Sequence, residues 1–339
     1  MNGVWWLVLA ACAMDRLIGD PRSWLHPVQL MGWGINALRS IAEAWAGNQP
    51  RRLRWAGVGI TLLLVGGSGL AGWALERLAM TWPVPGLILL VIALASSLAG
   101  RSLEQAVREV LQALPDLPQA RLRLSWIVGR SVTDLPQSEI LRAAAETASE
   151  NAVDGLFAPL FWMLVGAWMW ERWPSMPGPL ALAWTFKASS TLDSMLGYRV
   201  GQLRWLGTAG ARLDDVLTWL PCRLTALTLP LVSGHWRQCC HQFRASCSEG
   251  GLDPSPNAGV SQAAFAHGAG VRLGGTNRYG DELRNKPILA PDNPPVASYN
   301  IITMLHLTLK LELLWLLLFF PLLNATWITG IGQSAKSIP

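Results

Sequence analysis

RRLRWAGVGITLLLVGGSGLAGW, residues 51–73, sets three arginines against an uncharged apolar run from Trp55 to Trp73. A helix of about 20 apolar residues crosses the hydrocarbon core of a bilayer, so this run is long enough to span. Tryptophans stand at both of its ends, where indole rings settle at the membrane–water interface. A short stretch at 76–82 carries one Glu and one Arg and reads as a turn, and a second apolar run follows from Pro83 to Gly100. Arg101, Arg108, Arg121 and Arg123 come after it. Arginine on the outer flanks of both runs predicts a hairpin with its two ends in the cytoplasm. The first span, Val4–Met14, then starts on the outside.

The rest of the chain reads the same way. Of 339 residues, 51% are hydrophobic and 14% charged, and 19 are tryptophan; a soluble domain carries about 25% charged residues. Further apolar runs lie near 3–14, 155–170, 179–196, 216–232 and 299–323. They are continuous rather than alternating, which excludes a β-barrel. The expected class is therefore all-α: one multi-pass helical membrane domain over 1–339 in the lipid bilayer, with two cytoplasmic excursions at 101–154 and 234–297. The net charge of +5 sits on the flanks of spans and calls for no nucleic-acid partner. No Lys or Arg precedes the first apolar stretch, so LAAC at 9–12 reads as part of an uncleaved helix.

The first excursion predicts amphipathic helices near 101–113 and 136–150, broken at LPDLPQ (114–119), with Asp134 or Ser138 capping the second. The second excursion is rich in Gly, Pro and Asn and reads as loops with short helices between them. Its five-residue Cys/His cluster, in HWRQCCHQFRASC (235–247), matches no standard zinc spacing and reads as an interfacial segment with reduced thiols. A simple alternating count of spans would put this excursion outside. Its motifs argue otherwise, so one segment within 179–232 is expected not to cross.

Four polar clusters sit at the ends of apolar runs. MDRLIGDPRSWLHPVQLMG (14–32) carries Asp15, Asp20 and His26. In ETASENAVDGLFAPLFW (146–162), Glu146, Glu150 and Asp154 are spaced i, i+4, i+8, one face of a straight helix. Such a stripe suits Mg²⁺, which takes one or two carboxylates and completes its shell with water and phosphate oxygens; a solvated helix face would carry the same spacing. ALAWTFKASSTLDSMLGYR (181–199) begins as a span and then takes on Lys187, Thr191, Asp193 and Ser194. A lysine near a bilayer centre costs roughly 2.5–3.5 kcal/mol, so it is kept for a partner, a cavity or chemistry. On a helix Lys187, Thr191 and Ser194 align, an arrangement that can hold a phosphate or a carboxylate, or close an internal Lys–Asp pair. ARLDDVLTWLPCRL (211–224) crowds Arg212, Asp214, Asp215 and Arg223 at a helix entrance, where the paired aspartates are Mg²⁺ candidates or close a salt-bridge ring. GAGVRLGGTNRYG (268–280) offers small residues and Arg278 to an anion, without a Walker A sequence anywhere in the chain.

Together these stretches resemble the CobD/CbiB family of membrane enzymes in cobalamin biosynthesis, the adenosylcobinamide-phosphate synthases. DRLIGDPRSWLHPVQLMG, ASENAVDGLFAPLFW, FKASSTLDSMLGYR, ARLDDVLTWLPCRLTAL and SPNAGVSQAAFAHGAGVRLGGTNRYGDELRNKP occur in family order, from residue 14 to about 290. One departure stands at GRSVTD, where Ser131 replaces the Asp that commonly follows Gly-Arg. The resemblance implies ATP-dependent joining of a corrinoid substrate, adenosylcobyric acid, to (R)-1-aminopropan-2-yl phosphate (aminopropanol phosphate), with ATP and Mg²⁺ as cofactors. It implies a multi-pass protein of the inner cell membrane with its site facing the cytoplasm, and a homo-oligomer is compatible with the sequence. Catalytic candidates are Lys187, Asp193, Glu150 and Asp154. Substrate and ATP contacts are expected from Arg212, Asn151, Asn257, Asn277, Arg278, Asp15, Asp20 and His26, and metal ligation from Asp214 and Asp215. A transporter and a non-catalytic membrane sensor of the same superfamily are the alternatives.

Overall fold

The computed structural model describes residues 4–19, 26–280 and 282–334. In chain order the helices are α1 (Val4–Leu17), α2 (Pro27–Ala46), α3 (Pro50–Thr81), α4 (Pro83–Ala95), α5 (Gly100–Gln112), α6 (Leu117–Ser125) and α7 (Gln137–Ala152). A π-turn, Val153–Phe157, leads into α8 (Ala158–Arg172), α9 (Pro179–Leu196), α10 (Leu203–Leu206), α11 (Thr208–Val232), α12 (Cys239–Gly250) and α13 (Ala258–Ala269). The strands β1 (Leu273–Tyr279) and β2 (Glu282–Leu289) form an antiparallel hairpin before α14 (Ser298–Ser334). The protein is an all-α membrane protein with this one small sheet among its described residues. Among the described residues four helical stretches are long and apolar enough to cross a membrane: Pro50–Thr81, Val84–Gln112, Gln137–Arg172 and Ser298–Phe320. Helices α9 and α11, expected among the apolar runs, are not in that set; their Lys, Arg and Asp residues lower their hydropathy.

The chain forms two compact units. The first comprises Met1–Leu98, Pro159–Asp214 and Leu314–Pro339; the second comprises Ala99–Ala158 and Asp215–Leu313. In the first, Ile35, Leu53, Ile60, Leu192, Leu196 and Leu206 bury together between α2, α3, α9 and α10. Helix α3 meets α9 closely: a Cβ on Gly72 would lie 2.8 Å from Ala181 Cα. Small residues at such a crossing let two membrane helices approach backbone to backbone.

The stretch 76–82 is not a turn, because α3 continues to Thr81. Glu76 is fully buried within it and accepts the N–H groups of Gly178 (2.8 Å), Leu180 (2.7 Å) and Ala181 (3.1 Å). The first N–H groups of a helix have no partner within it, and α9 finds its partner in this carboxylate.

In the second unit, α7 carries an Ala-rich run that packs on all sides, with Ile140, Ala143, Ala144, Ala145, Ala148 and Ala152 buried. It is therefore enclosed rather than amphipathic. Neither expected cap serves it: its N-cap is Pro136, which makes no side-chain cap bond. The break expected at 114–119 is present between the end of α5 at Gln112 and the start of α6 at Leu117, where Asp116 Oδ1 accepts the N–H of Gln119 at 3.2 Å. From Leu273 to Leu289 the stretch expected as a loop pairs into the hairpin, with an irregularity between Leu273 and Gly275. Gly274 permits it: its φ is +85°, and a Cβ there would stand 1.9 Å from Pro287 O. Only glycine takes that conformation without strain.

Candidate active site

Glu146, on α7, is the centre of a buried charge lattice in the second unit. Arg130 Nη2 lies 2.9 Å from Glu146 Oε2, both side chains 6% exposed. Arg142, one helical turn before Glu146, reaches its Oε1 at 2.8 Å. The irregular Gly274 turns its N–H onto the same oxygen at 3.0 Å. Each arginine also donates to Asn277 Oδ1, and Arg142 donates to the carbonyls of Gly274 and Thr276, both at 3.0 Å. One carboxylate thus receives two guanidinium groups and a backbone N–H, which is how a charge is kept in a protein interior.

The loop after α6 is sewn to the hairpin. Ser131 N–H donates to Arg278 O at 2.8 Å, and Ser131 Oγ accepts the Gly280 N–H at 3.0 Å. The serine at the departure from the family pattern therefore supplies the oxygen acceptor that a carboxylate there would also supply.

One turn beyond Glu146, Glu150 accepts a hydrogen bond from Gln262 Nε2 at 2.8 Å. Lys286 Nζ lies 3.2 Å from Asp253 Oδ2. Burial works against the charge on Lys286, but the carboxylates of Glu150 and Asp253 outweigh it and hold its pKa above the ordinary lysine value. A cavity of about 250 Å³ opens among these groups, with Glu146, Glu150, Asn151, Gln262, Asn277 and Lys286 on its walls.

The structure sorts the expected residues. It brings Glu150, Asn151 and Asn277 to one cavity. Asp154 is not on that wall; it falls in the π-turn, where the i, i+4, i+8 register of a straight helix is interrupted. Asn257 is 6% exposed, donates to Asp215 O at 2.9 Å and accepts from Arg223 Nη1 at 2.5 Å. It ties α11 to the start of α13. Arg278 is exposed, and its Nε donates to Gly280 O at 3.1 Å.

In the first unit, Lys187 and Asp193 lie on α9, Arg212 and Asp214 on α11, and Asp15 is buried on α1. The hydroxyls near Lys187 are occupied: Thr191 Oγ1 donates to Lys187 O at 2.7 Å and Ser194 Oγ to Ser190 O at 2.8 Å. Such back-bonding to the preceding turn replaces the hydroxyl lining expected around the lysine. His26 is the N-cap of α2, its Nδ1 accepting the Val28 N–H at 3.3 Å. Asp20 lies outside the described residues.

Among the described residues no group of three or more His, Cys, Asp or Glu side chains stands ready to hold a metal, the 235–247 segment included. Asp214 and Asp215 are consecutive on α11.

Arg130, Arg142, Gln262 and Lys286 complete the site without having been singled out. Arg142 had a signal, because it stands four residues before Glu146 on one helix face. Lys286 and Gln262 lie inside the longest quoted motif, but their pairing with Glu150 spans the fold and leaves no local trace.

Fold and site define a helical integral membrane protein with a charged, polar cavity whose wall includes part of the helical stretch Gln137–Arg172. The family model described as CobD/CbiB protein matches residues 8–308, and the chain belongs to that family. Its relatives include the cobalamin biosynthesis protein CobD of Synechocystis, 40% identical over 98% of this chain and 94% of that one. Another, CobD of Yersinia enterocolitica, is 37% identical over 93% and 95% of the two chains. The cobalamin biosynthesis protein CbiB of Salmonella arizonae is 34% identical over 96% and 99%. No solved structure matches the chain.

Proposed function

We propose that this protein acts in cobalamin biosynthesis as an ATP-dependent amide synthase, joining adenosylcobyric acid to (R)-1-aminopropan-2-yl phosphate to give adenosylcobinamide phosphate. The observation that carries the reading is the cavity itself. Residues from two separate family-like motifs, Glu150 and Asn151 in one and Asn277 and Lys286 in the other, converge on it.

In such a reaction the corrinoid's propionate carboxylate takes a phosphoryl group, leaving ADP. The amine nitrogen then attacks the acyl carbon, the bond to phosphate breaks, inorganic phosphate leaves, and the nitrogen gives up a proton. Glu146 is committed to two arginines. Glu150, with a single amide donor on one oxygen, is the carboxylate suited to accept that proton. Lys187 and Arg212 are assigned to holding phosphate or carboxylate groups, and Asp214 and Asp215 to Mg²⁺, which neutralises phosphate charge when bound.

The contact between Ser131 and Gly280 also supports a topology. Residues that hydrogen-bond lie on the same side of a bilayer, so the chain between them crosses an even number of times. The helix Gln137–Arg172 supplies one crossing, so one of α9 and α11 crosses and the other does not. With the arginine-rich flanks inside, the cavity faces the cytoplasm, where ATP is. Cysteines placed at Ser255 and Thr276 should react with an impermeant label only after the inner face is opened; labelling from outside alone contradicts this orientation. The activity is tested by supplying purified protein with adenosylcobyric acid, the amine, ATP and Mg²⁺. Amide product that requires ATP supports the reading, and corrinoid or ion transport without product replaces it.

A further inference from the structure

Positive charge is left uncompensated at one end of the first unit. Helix α3 opens with Arg51, Arg52 and Arg54, all exposed, and its first turn holds no acidic residue. Arg204, also exposed, lies on α10. Among the described residues none of these four is in an ion pair. Glu43, at the end of α2, is taken by Arg39 at 2.7 Å.

A fixed frame holds these charges together. The Arg54 guanidinium lies 4.5 Å from the centroid of the Trp205 ring, and that of Arg204 lies 5.1 Å from the same centroid. The two positive groups therefore stand within about 10 Å of each other, roughly one Debye length, so their repulsion is only partly screened. Arg52 stacks on Trp45 of α2 at 5.7 Å. Gln202 fastens the start of α10 to the turn between α2 and α3, its Nε2 donating to Gly47 O and Asn48 Oδ1, both at 3.0 Å. Deeper in, α3 meets α10 closely, since a Cβ on Gly57 would stand 2.1 Å from Leu206 O.

The surroundings characterise the anion that such a cluster calls for. Guanidinium groups match phosphate in shape and charge. The apolar span begins directly after Arg54, where Trp45 and Trp55 are exposed, and exposed Leu62 and Leu63 continue that surface along α3. Indole and arginine side by side mark the headgroup level of a membrane helix, with hydrocarbon beyond it. No carboxylate pairs with these arginines, so the ammonium of a zwitterionic headgroup finds no partner there, which selects a lipid of net negative charge.

We infer that this end of the first unit binds an anionic phospholipid, its phosphate held by Arg54 and Arg204 and its acyl chains along the exposed face of α3. The leaflet follows from the orientation proposed above: it is the cytoplasmic one, where anionic lipids give the surface its negative potential. The binding itself rests on these residues alone and is independent of the amide-synthase reading.

The test adds dioleoyl phosphatidylglycerol or dioleoyl phosphatidylcholine to the full chain in detergent and follows bound lipid by native mass spectrometry. An arginine near a membrane surface contributes about fivefold to anionic-lipid binding. Wild type should therefore take its first phosphatidylglycerol about 25-fold more tightly than phosphatidylcholine, and Arg54→Gln combined with Arg204→Gln should bring the two lipids to within roughly fivefold. Arg172→Gln, which removes another tryptophan-stacked guanidinium, 4.4 Å from the Trp168 centroid, should keep the full preference. Equal binding of the two lipids by wild type, or a full preference in the double variant, overturns the site. Loss of the preference in Arg172→Gln overturns it as well, because the response would then be to overall charge. Glycerol 3-phosphate, a headgroup without chains, should leave the lipid bound; displacement by it would replace the lipid with a soluble phosphate ester.

Discussion

Arg130 and Glu146 meet as a buried ion pair, Nη2 to Oε2 at 2.9 Å, each side chain 6% exposed. The pair joins the loop after α6 to the middle of α7, and Asn277 and Gly274 of the hairpin bond to the same two groups. Removing the Glu146 charge leaves Arg130 buried without a carboxylate, a loss of about 3–5 kcal/mol, whereas Glu146 without Arg130 keeps Arg142 and the Gly274 N–H. Glu146→Gln should therefore lower the thermal midpoint in detergent more than Glu146→Gln combined with Arg130→Met. Equal losses in the single and the double variant would show that the pair is uncoupled.

Ser131 makes a milder prediction. Ser131→Ala removes the acceptor for the Gly280 N–H and should cost about 1 kcal/mol. Ser131→Asp keeps an oxygen at that position and should lose less. Amide exchange at Gly280, followed by mass spectrometry, reads the difference directly.

Glu76 should be among the least replaceable residues of the first unit. Glu76→Ala strands three buried N–H groups at the start of α9, at about 1–3 kcal/mol for each that stays unsatisfied. Expected is a protein that inserts but fails to keep α9 protected from proteolysis near Gly178. Undiminished protection would mean that α9 is held by packing against α3 alone.

The pairing of Lys286 has a pH signature. Its carboxylate neighbours raise its pKa above the ordinary 10.5. A raised lysine contributes stability that is fully present below the unfolded value and is lost as pH rises through the folded one. The second unit should weaken above about pH 10.5, and Lys286→Met should lack that alkaline step while being less stable at neutral pH. Denaturation midpoints measured from pH 8 to 12 check both.

Much of the architecture was legible because hydropathy is a local property. The runs at 51–73 and 83–100 became helices, the first continuing to Thr81 and the second ending at Ala95, and α5 and α9 fell almost where the patterns put them. The errors have physical causes. Glu76 looked like a turn residue because a buried carboxylate in a span is rare unless a helix terminus receives it, and that terminus lies far along the chain. The hairpin was hidden because GGTNRYG and ELRNKP lack strand alternation, their pairing being anchored by Arg130, Arg142 and Glu146. Within the site, Glu150, Asn151 and Asn277 were readable as polar groups at the borders of apolar runs. Their partners were not, since Gln262 and Lys286 gain meaning only when α13 and β2 fold against α7.

The most direct measurement is single-turnover amide formation by wild type and Glu150→Gln at saturating ATP, Mg²⁺ and adenosylcobyric acid, with amine concentration varied. Wild type should form the amide only with ATP. Glu150→Gln keeps the shape but cannot accept a proton, and it should slow the amide-forming step by about 10²–10⁴-fold while still releasing ADP. A folded Glu150→Gln that makes amide at the wild-type rate would contradict the assignment of this cavity as the active site.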